Sequence, residues 1–336
     1  MEPIAILGGG SWGTALALLL ARNAPDRRIP LWVHDPELAR SMRGRRVNEI
    51  YLPGFELPAA IDVTGDLRAA VRGAKLVIGV MPSARAREVY TAALEAMDEL
   101  PAFVSATKGI ETERLARMSQ VIEEVATART GQTPRVAALS GPSFALETAR
   151  GDPIAVVAAS RDRDFAQTVQ ALFSGPMFRV YTSDDIVGVE LGGAVKNIIA
   201  IAAGICVGLG FGHSTLAALV TRGAAEMTRL ACALGALPRT LAGLSGIGDL
   251  VLTATGPLSR NRTVGIELGR GRPLNEILQS MRMVAEGIGT TAAAVQLARR
   301  TGVEMPITEQ MYTVLYENRP PRDAIRELMQ RKLKEE

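Results

Sequence analysis

The chain has 336 residues, 47% of them hydrophobic, with 38 basic and 35 acidic side chains for a net charge of +3. That length suits two domains with sizeable cores, and the near balance of charge, with aromatics at only 4%, argues against nucleic-acid or membrane-surface binding as the main task. Two isolated cysteines, Cys206 and Cys232, and two distant histidines exclude a disulfide framework and a zinc cluster, predict no metal, and point to a reducing compartment, the cytoplasm.

From the N-terminus, short apolar runs bounded by turn residues predict strands over Ile4–Leu7, Ile29–Val33, Leu76–Met81, Ala102–Thr107, Arg135–Ser140, Ile154–Ala159 and Phe178–Thr182. Helical spacing lies between them over Trp12–Arg22, Arg85–Met97, Glu113–Ala128 and Asp164–Phe173. The first apolar run is too short for a removable targeting segment. Strands alternating with helices predict an α/β fold, a doubly wound, mostly parallel sheet covered on both faces. Its ligands are expected beyond the carboxyl ends of the strands.

Past Asp184 the strand signal stops. An all-α domain is expected, with helices over Ile186–Val207, Ser214–Leu234, Arg260–Leu268, Leu274–Gln279, Thr290–Thr301, Thr308–Tyr316 and Pro321–Lys332. Ser214, Thr290 and Thr308 suit N-caps, and Gly235 and Gly302 suit stops. The break near Ser183–Gly188 gives a dinucleotide-binding domain over 1–185 and a helical substrate-binding domain over 186–336. The most apolar stretch, Ile186–Phe211, carries Glu190 and Lys196 and reads as a buried helix rather than a membrane span. Its small residues suit packing within one chain or across a homodimer.

The run Ile4-Ala5-Ile6-Leu7-Gly8-Gly9-Gly10-Ser11-Trp12-Gly13 places G-x-G-x-x-G between a strand and a helix. Gly8 permits the tight turn, Gly10 lets a pyrophosphate reach bare backbone, and Gly13 lets helix and strand pack closely; the helix N-terminus offers N–H groups to phosphate. About 20 residues on, His34-Asp35 ends the second strand. Asp35 admits two readings: an acceptor for the adenosine ribose, which favours NAD, or a cap for the next helix. Arg27, Arg28 and His34 nearby leave NADP open.

Lys196 is the most suggestive ionisable residue. Gly192, Gly193, Lys196, Ala200, Ala203 and Gly204 share one side of a helix, a face nearly bare of side chains that a ligand could approach. A desolvated lysine has a lowered pKa suited to proton transfer. The alternative is a small-residue helix contact, with Lys196 paired to Glu190. Lys108 in Ser105-Ala106-Thr107-Lys108-Gly109 and Ser143 in Ser140-Gly141-Pro142-Ser143 stand at strand ends, where an anion could meet the amine and bare backbone of Gly141, or where the chain simply turns. Asp249 either tunes a lysine or caps its own helix. Ser259-Arg260-Asn261-Arg262 reads as a phosphate site at a helix start, or as an N-cap with solvated arginines.

In order along the chain, GGGSWGTALA, SATKGI, SGPSFA, VELGGAVKNIIAIAAGICVGLGFG, TRGAAEM, LSGIGDLVLT, SRNR, AEG and GVEMPITEQMYTVLYE resemble the bacterial-type NAD(P)-dependent glycerol-3-phosphate dehydrogenases over nearly the whole length. The resemblance implies a Rossmann-like domain and reversible hydride transfer between NAD(P)H and C2 of dihydroxyacetone phosphate, giving sn-glycerol 3-phosphate for phospholipid synthesis. It implies Lys196 as proton donor and acceptor, and Lys108, Gly141, Ser143, Asp249, Ser259, Arg260 and Asn261 around the substrate. Ser11, Trp12, His34, Lys108, Ala145, Arg260, Val284 and Glu286 would line the cofactor. Pro257, Ser83-Ala84-Arg85 and Ala285 depart from the family pattern. A related hydroxy-acid dehydrogenase and a non-catalytic dinucleotide sensor are the competing readings; the phosphate-binding SRNR run and the intact Lys108, Lys196 and Asp249 argue against them.

Overall fold

The computed structural model describes residues 3–333 and 335. β1 (Ile4–Leu7) leads to α1 (Ser11–Asn23), β2 (Ile29–Trp32), α2 (Pro36–Arg45), a hairpin of β3 (Val47–Asn48) and β4 (Leu52–Glu56), then β5 (Ile61–Thr64) and α3 (Leu67–Val71). β6 (Leu76–Gly79) is followed by a 3-10 turn, Ser83–Arg85, and α4 (Ala86–Glu95). β7 (Ala102–Ser105) precedes a second hairpin, β8 (Ile110–Glu111) and β9 (Ala116–Arg117), and α5 (Met118–Thr130). Next come β10 (Val136–Ser140), α6 (Ala145–Arg150), β11 (Ile154–Ala159), α7 (Arg163–Phe173) and β12 (Phe178–Ser183).

The rest of the described chain is helix and loop. It contains α8 (Ile186–Gly208), α9 (His213–Ala233), α10 (Pro238–Leu241), a π-helical turn at Leu244–Gly248, α11 (Asp249–Thr255) and α12 (Arg260–Gly269). α13 (Leu274–Ser280), α14 (Glu286–Thr301), α15 (Pro306–Tyr316) and α16 (Pro321–Met329) complete it. The fold is thus an N-terminal, Rossmann-like, mostly parallel sheet with helices, followed by an all-helical domain.

The main sheet has eight strands in the order β12-β11-β10-β7-β6-β1-β2-β5. Only the β10–β11 pair is antiparallel. From β1 the chain first builds outward to β2 and β5, then returns to β6 and builds the other way, so the strand order reverses at β1/β6, where such sheets take ligands. Leu7 pairs with Gly79, and Gly79 with Ser105; the turns after β1, β6 and β7 therefore leave the same edge.

Side-chain alternation divides the sheet core. Ile4 and Ile6 bury against Leu16, Leu20 and Phe173, while Ala5 and Leu7 bury against Tyr90, Phe103 and Ile122. A third core surrounds α8, on which Leu191, Val195, Ile198 and Ile205 pack with Leu230, Val264 and Leu297. The apolar helix is 89% buried over a window of mean hydropathy 1.7, so its apolar surface is covered within this chain. α8 and α12 meet backbone to backbone. A Cβ on Gly265 would overlap the Ile201 carbonyl oxygen and lie 2.9 Å from Gly204 Cα, so glycine is needed on both helices.

Several local expectations are corrected. The helix expected from Glu113 starts at Met118, because the preceding residues close the β8–β9 hairpin with Leu115 at φ 59°. The three expected N-caps all lie inside helices: α9, α14 and α15 have Gly212, Ala285 and Met305 in that role. At α15 the capping acceptor is supplied from outside the segment: Glu226 on α9 accepts from the Ile307 and Thr308 N–H groups at 2.7 and 3.1 Å. Gly302 does stop α14, in left-handed conformation. Short elements fixed by caps and neighbours, among them α2, α3, α6, α10 and α11, escape the periodicity.

Candidate active site

The glycine turn after β1 has the shape of a phosphate cradle. Gly8 sits at φ +131°, and a Cβ there would strike the Val80 carbonyl; one on Gly13 would strike the Gly8 oxygen. Gly10 faces open space, with nothing within 4 Å of a Cβ position. α1 starts on Gly10 with no side-chain cap and no acid in its first turn, which leaves the N–H groups around Ser11, Trp12 and Gly13 available to an anion. The buried Trp12 Nε1 has no partner. Open backbone, uncapped helix start and an orphaned donor fit a dinucleotide diphosphate, so Gly8, Gly10, Ser11, Trp12 and Gly13 are brought together as the motif requires.

His34 and Asp35 follow β2, beside the same turn, since Val33 packs against Gly9. Both are exposed. Asp35 caps α2: Oδ1 accepts from the Glu37 and Leu38 N–H groups at 2.8 and 3.2 Å. The capping alternative is therefore realised, with Oδ2 left over.

The lysine centre is assembled from distant segments. Lys108 follows β7 and donates to the Gly141 carbonyl at 2.8 Å and to Asp249 Oδ2 at 2.8 Å. Lys196 donates to Asp249 Oδ1 and, at 2.7 Å, to Thr253 Oγ1. Thr253 gives its own proton to the Asp249 carbonyl at 2.6 Å, so toward Lys196 it is an acceptor. One buried carboxylate thus holds two ammonium groups, one from each half. Lys196 is 4% exposed. Burial pushes its pKa down to about 7, the neighbouring Lys108 charge pushes the same way, and Asp249 opposes both. Ser143 donates to the Gly141 carbonyl at 3.0 Å, and Gly141, at φ +140°, lies against Val156, where a Cβ would come within 2.9 Å of Val156 Cα. Ala145 opens α6 just beyond.

The expected bare face of α8 is not bare. Gly192 lies against Ser245, Gly193 against Ser140 and Lys108, and Gly204 against Arg262. The stripe is a close-packing surface, and Lys196 is buried on it against Asp249 and Thr253 of α11 rather than standing on an open face. The pairing of Lys196 with Glu190 is also excluded: Glu190 binds Arg117 at 2.5 Å and the Ser119 N–H and hydroxyl at 2.6 Å each.

Ser259 caps α12 through the Arg262 N–H at 3.2 Å, after a turn with Pro257 at its second position and Gly256 at its first. Its hydroxyl proton remains to be donated. Arg260 is exposed and donates to the Val284 carbonyl at 2.9 Å. Asn261 donates to Asn197 Oδ1 at 2.9 Å and accepts from the Gly287 N–H at 3.0 Å; Asn197 in turn donates to the Lys108 carbonyl at 3.2 Å. Glu286 opens α14 and reaches across the seam to Ser83. The SRNR run, Lys196 and the Lys108 loop are thereby connected through hydrogen bonds.

Known proteins resemble this chain in sequence and fold. A model of the NAD-dependent glycerol-3-phosphate dehydrogenase N-terminus matches residues 3–166, and one of the C-terminus of the same enzymes matches residues 185–326. The chain belongs to the NAD-dependent glycerol-3-phosphate dehydrogenase family. It is 55% identical over 332 residues to a Koribacter versatilis protein named glycerol-3-phosphate dehydrogenase (NAD(P)+), with 98% of each chain covered. Identity to a Geobacter sp. (strain M21) protein of the same name is 53% over 335 residues, covering 100% of this chain and 99% of the relative. The crystal structure of glycerol-3-phosphate dehydrogenase from Coxiella burnetii superposes with a TM-score of 0.93 at 40% identity, covering 98% of this chain and 99% of that one.

The motifs assign no role to three residues of this dehydrogenase's site. Thr253 had a signal, since it lies one helical turn after Asp249. Ser83 falls where the chain departs from the family pattern. Asn48 had none. It is fully buried and donates to the Gly9 carbonyl at 2.9 Å and Thr14 Oγ1 at 2.8 Å, so the glycine turn is braced from a hairpin about 40 residues away.

Proposed function

We propose that the protein is an NAD(P)-dependent sn-glycerol-3-phosphate dehydrogenase that interconverts dihydroxyacetone phosphate and sn-glycerol 3-phosphate. The observation that carries this reading is the Lys108–Asp249–Lys196 centre standing at the carboxyl edge of the sheet whose first turn fits a dinucleotide. A bound nicotinamide dinucleotide supplies or takes up the hydride. The protein's part is to hold both reactants and to manage one proton at the C2 oxygen of the substrate.

Lys196 is the proton donor in reduction and the acceptor in oxidation. Two of its three ammonium N–H groups are spent on Asp249 and Thr253, and the third serves the substrate oxygen. When the carbonyl carbon is reduced, its oxygen gains a proton from that N–H and the lysine is left neutral; oxidation runs the same transfer backwards. A pKa of about 7 keeps both forms available near neutrality, as a reversible acid–base group requires. Asp249 fixes the amine, and Lys108 adds positive potential where negative charge develops. Gly141 and Ser143 border this point.

Ser259, Arg260 and Asn261 would hold the substrate phosphate. The Asn261 carbonyl and the Ser259 oxygen are each already engaged, so what they have left to offer is N–H and O–H, which suits an acceptor-rich phosphate. Gly8, Gly10, Ser11, Trp12 and Gly13 would hold the diphosphate, with His34, Asp35, Ala145, Val284 and Glu286 along the rest of the dinucleotide. Residues 1–185 and 186–336 would then be the dinucleotide-binding and substrate-binding domains. We place the enzyme in the cytoplasm, its two cysteines unpaired, supplying glycerol phosphate for phospholipid synthesis. A homodimer would use surfaces other than α8.

The test follows the consumption of NADH and, separately, NADPH with dihydroxyacetone phosphate. Turnover with it, and none with unphosphorylated hydroxy-acid or keto-acid substrates, is the expected result. No oxidation of either cofactor by any ketone phosphate would overturn the reading.

A further inference from the structure

We propose that Ser83 is a positioning residue for the dinucleotide: it aims the Glu286 carboxylate and, through it, ties the sheet domain to the first turn of α14. The inference rests on the reading of the cleft as a dinucleotide site. Ser83 stands on the turn after β6, the strand beside β1 at the point where the sheet order reverses. It is 5% exposed. Its N–H donates to Glu286 Oε1 at 2.9 Å and its hydroxyl to Oε2 at 2.5 Å. One residue therefore grips both oxygens of a carboxylate 203 positions away in sequence, which fixes the plane of that group as well as its place.

A carboxylate offers about four acceptor positions. Ser83 uses two, and the others remain for N–H or O–H donors, which a dinucleotide carries on its carboxamide and ribose groups. Burial works against an ionised Glu286 and raises its pKa, while the two Ser83 hydrogen bonds and the Arg260 charge counter it. The hydroxyl of Ser83 thus helps to keep the acceptor in the form that can accept.

The surroundings are built for this contact. A Cβ on Gly109 would lie 2.5 Å from Ser83 Oγ and 2.6 Å from Glu286 Oε2, so the residue after Lys108 must be glycine for the tie to pass. The next residue of α14, Gly287, gives its N–H to Asn261. The first turn of α14 is accordingly held on one side by the sheet domain and on the other by α12. Loss of the Ser83 hydroxyl should loosen the dinucleotide side and spare the substrate side.

The experiment measures the NADH dissociation constant by protein fluorescence without substrate, together with KM for dihydroxyacetone phosphate, kcat and melting temperature. Ser83→Ala is expected to raise the NADH constant ~10-fold, the scale of one hydrogen bond to a charged group, with KM for dihydroxyacetone phosphate within about twofold. Ser83→Thr, which keeps the hydroxyl, should restore binding. Glu286→Ala and Ser83→Ala/Glu286→Ala should bind NADH equally weakly, because the serine acts through the carboxylate. Additive losses in the double variant, an unchanged NADH constant in Ser83→Ala, or an equal rise in both reactants' constants would overturn the inference. Absence of any dinucleotide binding by the unaltered protein would overturn the reading of the cleft itself, and would be seen before any variant is made.

Discussion

The glycine turn and the lysine centre are two ways of building a site. The turn is written in ten consecutive residues, and most of its work is done by what is missing: side chains at Gly8, Gly10 and Gly13 and a cap on α1. The lysine centre draws Lys108, Gly141, Lys196, Asp249 and Thr253 from four segments, and its work is done by charge taken out of water. The first kind of site is robust because backbone geometry is local. The second exists only after the two halves have packed, so its chemistry inherits every error of that packing.

The largest effect should therefore come from the lysine centre. Lys196→Ala removes the proton donor and is expected to lower kcat by ~10³-fold, within the range for a general acid, while NADH still binds. Retention of near-normal turnover would sink the assignment. The same residue sets the pH dependence. Its pKa is lowered to about 7, so reduction, which needs the ammonium, should fall as pH rises through about 7. Oxidation, which needs the amine, should rise over that interval. Asp249 favours the charged form, so Asp249→Asn should move both limbs to lower pH; limbs unmoved by that change, or lying in the ordinary lysine range, would contradict the account.

Next comes a break in packing rather than chemistry. Gly265→Val drives a side chain into the α8 backbone at Ile201 and should cost about 3 kcal/mol, the upper end for overpacking, read as a fall in melting temperature. Because α12 carries Ser259 and Asn261, the KM for dihydroxyacetone phosphate should rise more than the NADH constant. An equal rise in both would mean that the two regions are not separable in this way.

That separation also explains what the sequence could say. The alternation of strands and helices, the switch to all-helix past Asp184 and the glycine turn are legible because each depends on residues close in the chain. The face of α8 was legible as small and apolar, yet not as closed: nothing in Gly192 or Gly204 tells that Ser245 and Arg262 fill the space. Thr308 reads as a cap and is not one, since Glu226, 82 residues earlier, supplies the acceptor. Asp249 was legible as a carboxylate near lysines, but its hold on both of them is a product of assembly.

Even the local site has a distant support, and removing it gives a smaller effect. Asn48→Ala leaves the Gly9 carbonyl and Thr14 hydroxyl without their buried donor, at a cost of about 2 kcal/mol. NADH binding should weaken several-fold with KM for dihydroxyacetone phosphate unchanged. If binding is unaffected, the turn is as self-contained as its sequence suggests, and the contrast with the lysine centre becomes sharper.

Asp35 gives the smallest expected change and the finest test. Its Oδ1 caps α2, and replacing such a cap by alanine costs ~1 kcal/mol. Asp35→Ser keeps a capping oxygen but removes the carboxylate, so its melting temperature should stay close to that of the unaltered enzyme while Asp35→Ala falls by a few degrees. If Oδ2 also accepts from the adenosine ribose, both variants should lose NADH affinity to the same extent, whatever their stability. Affinity that follows stability would leave Asp35 as a cap alone. The end of β2 would then contribute shape to the site and no hydrogen bond to the ribose.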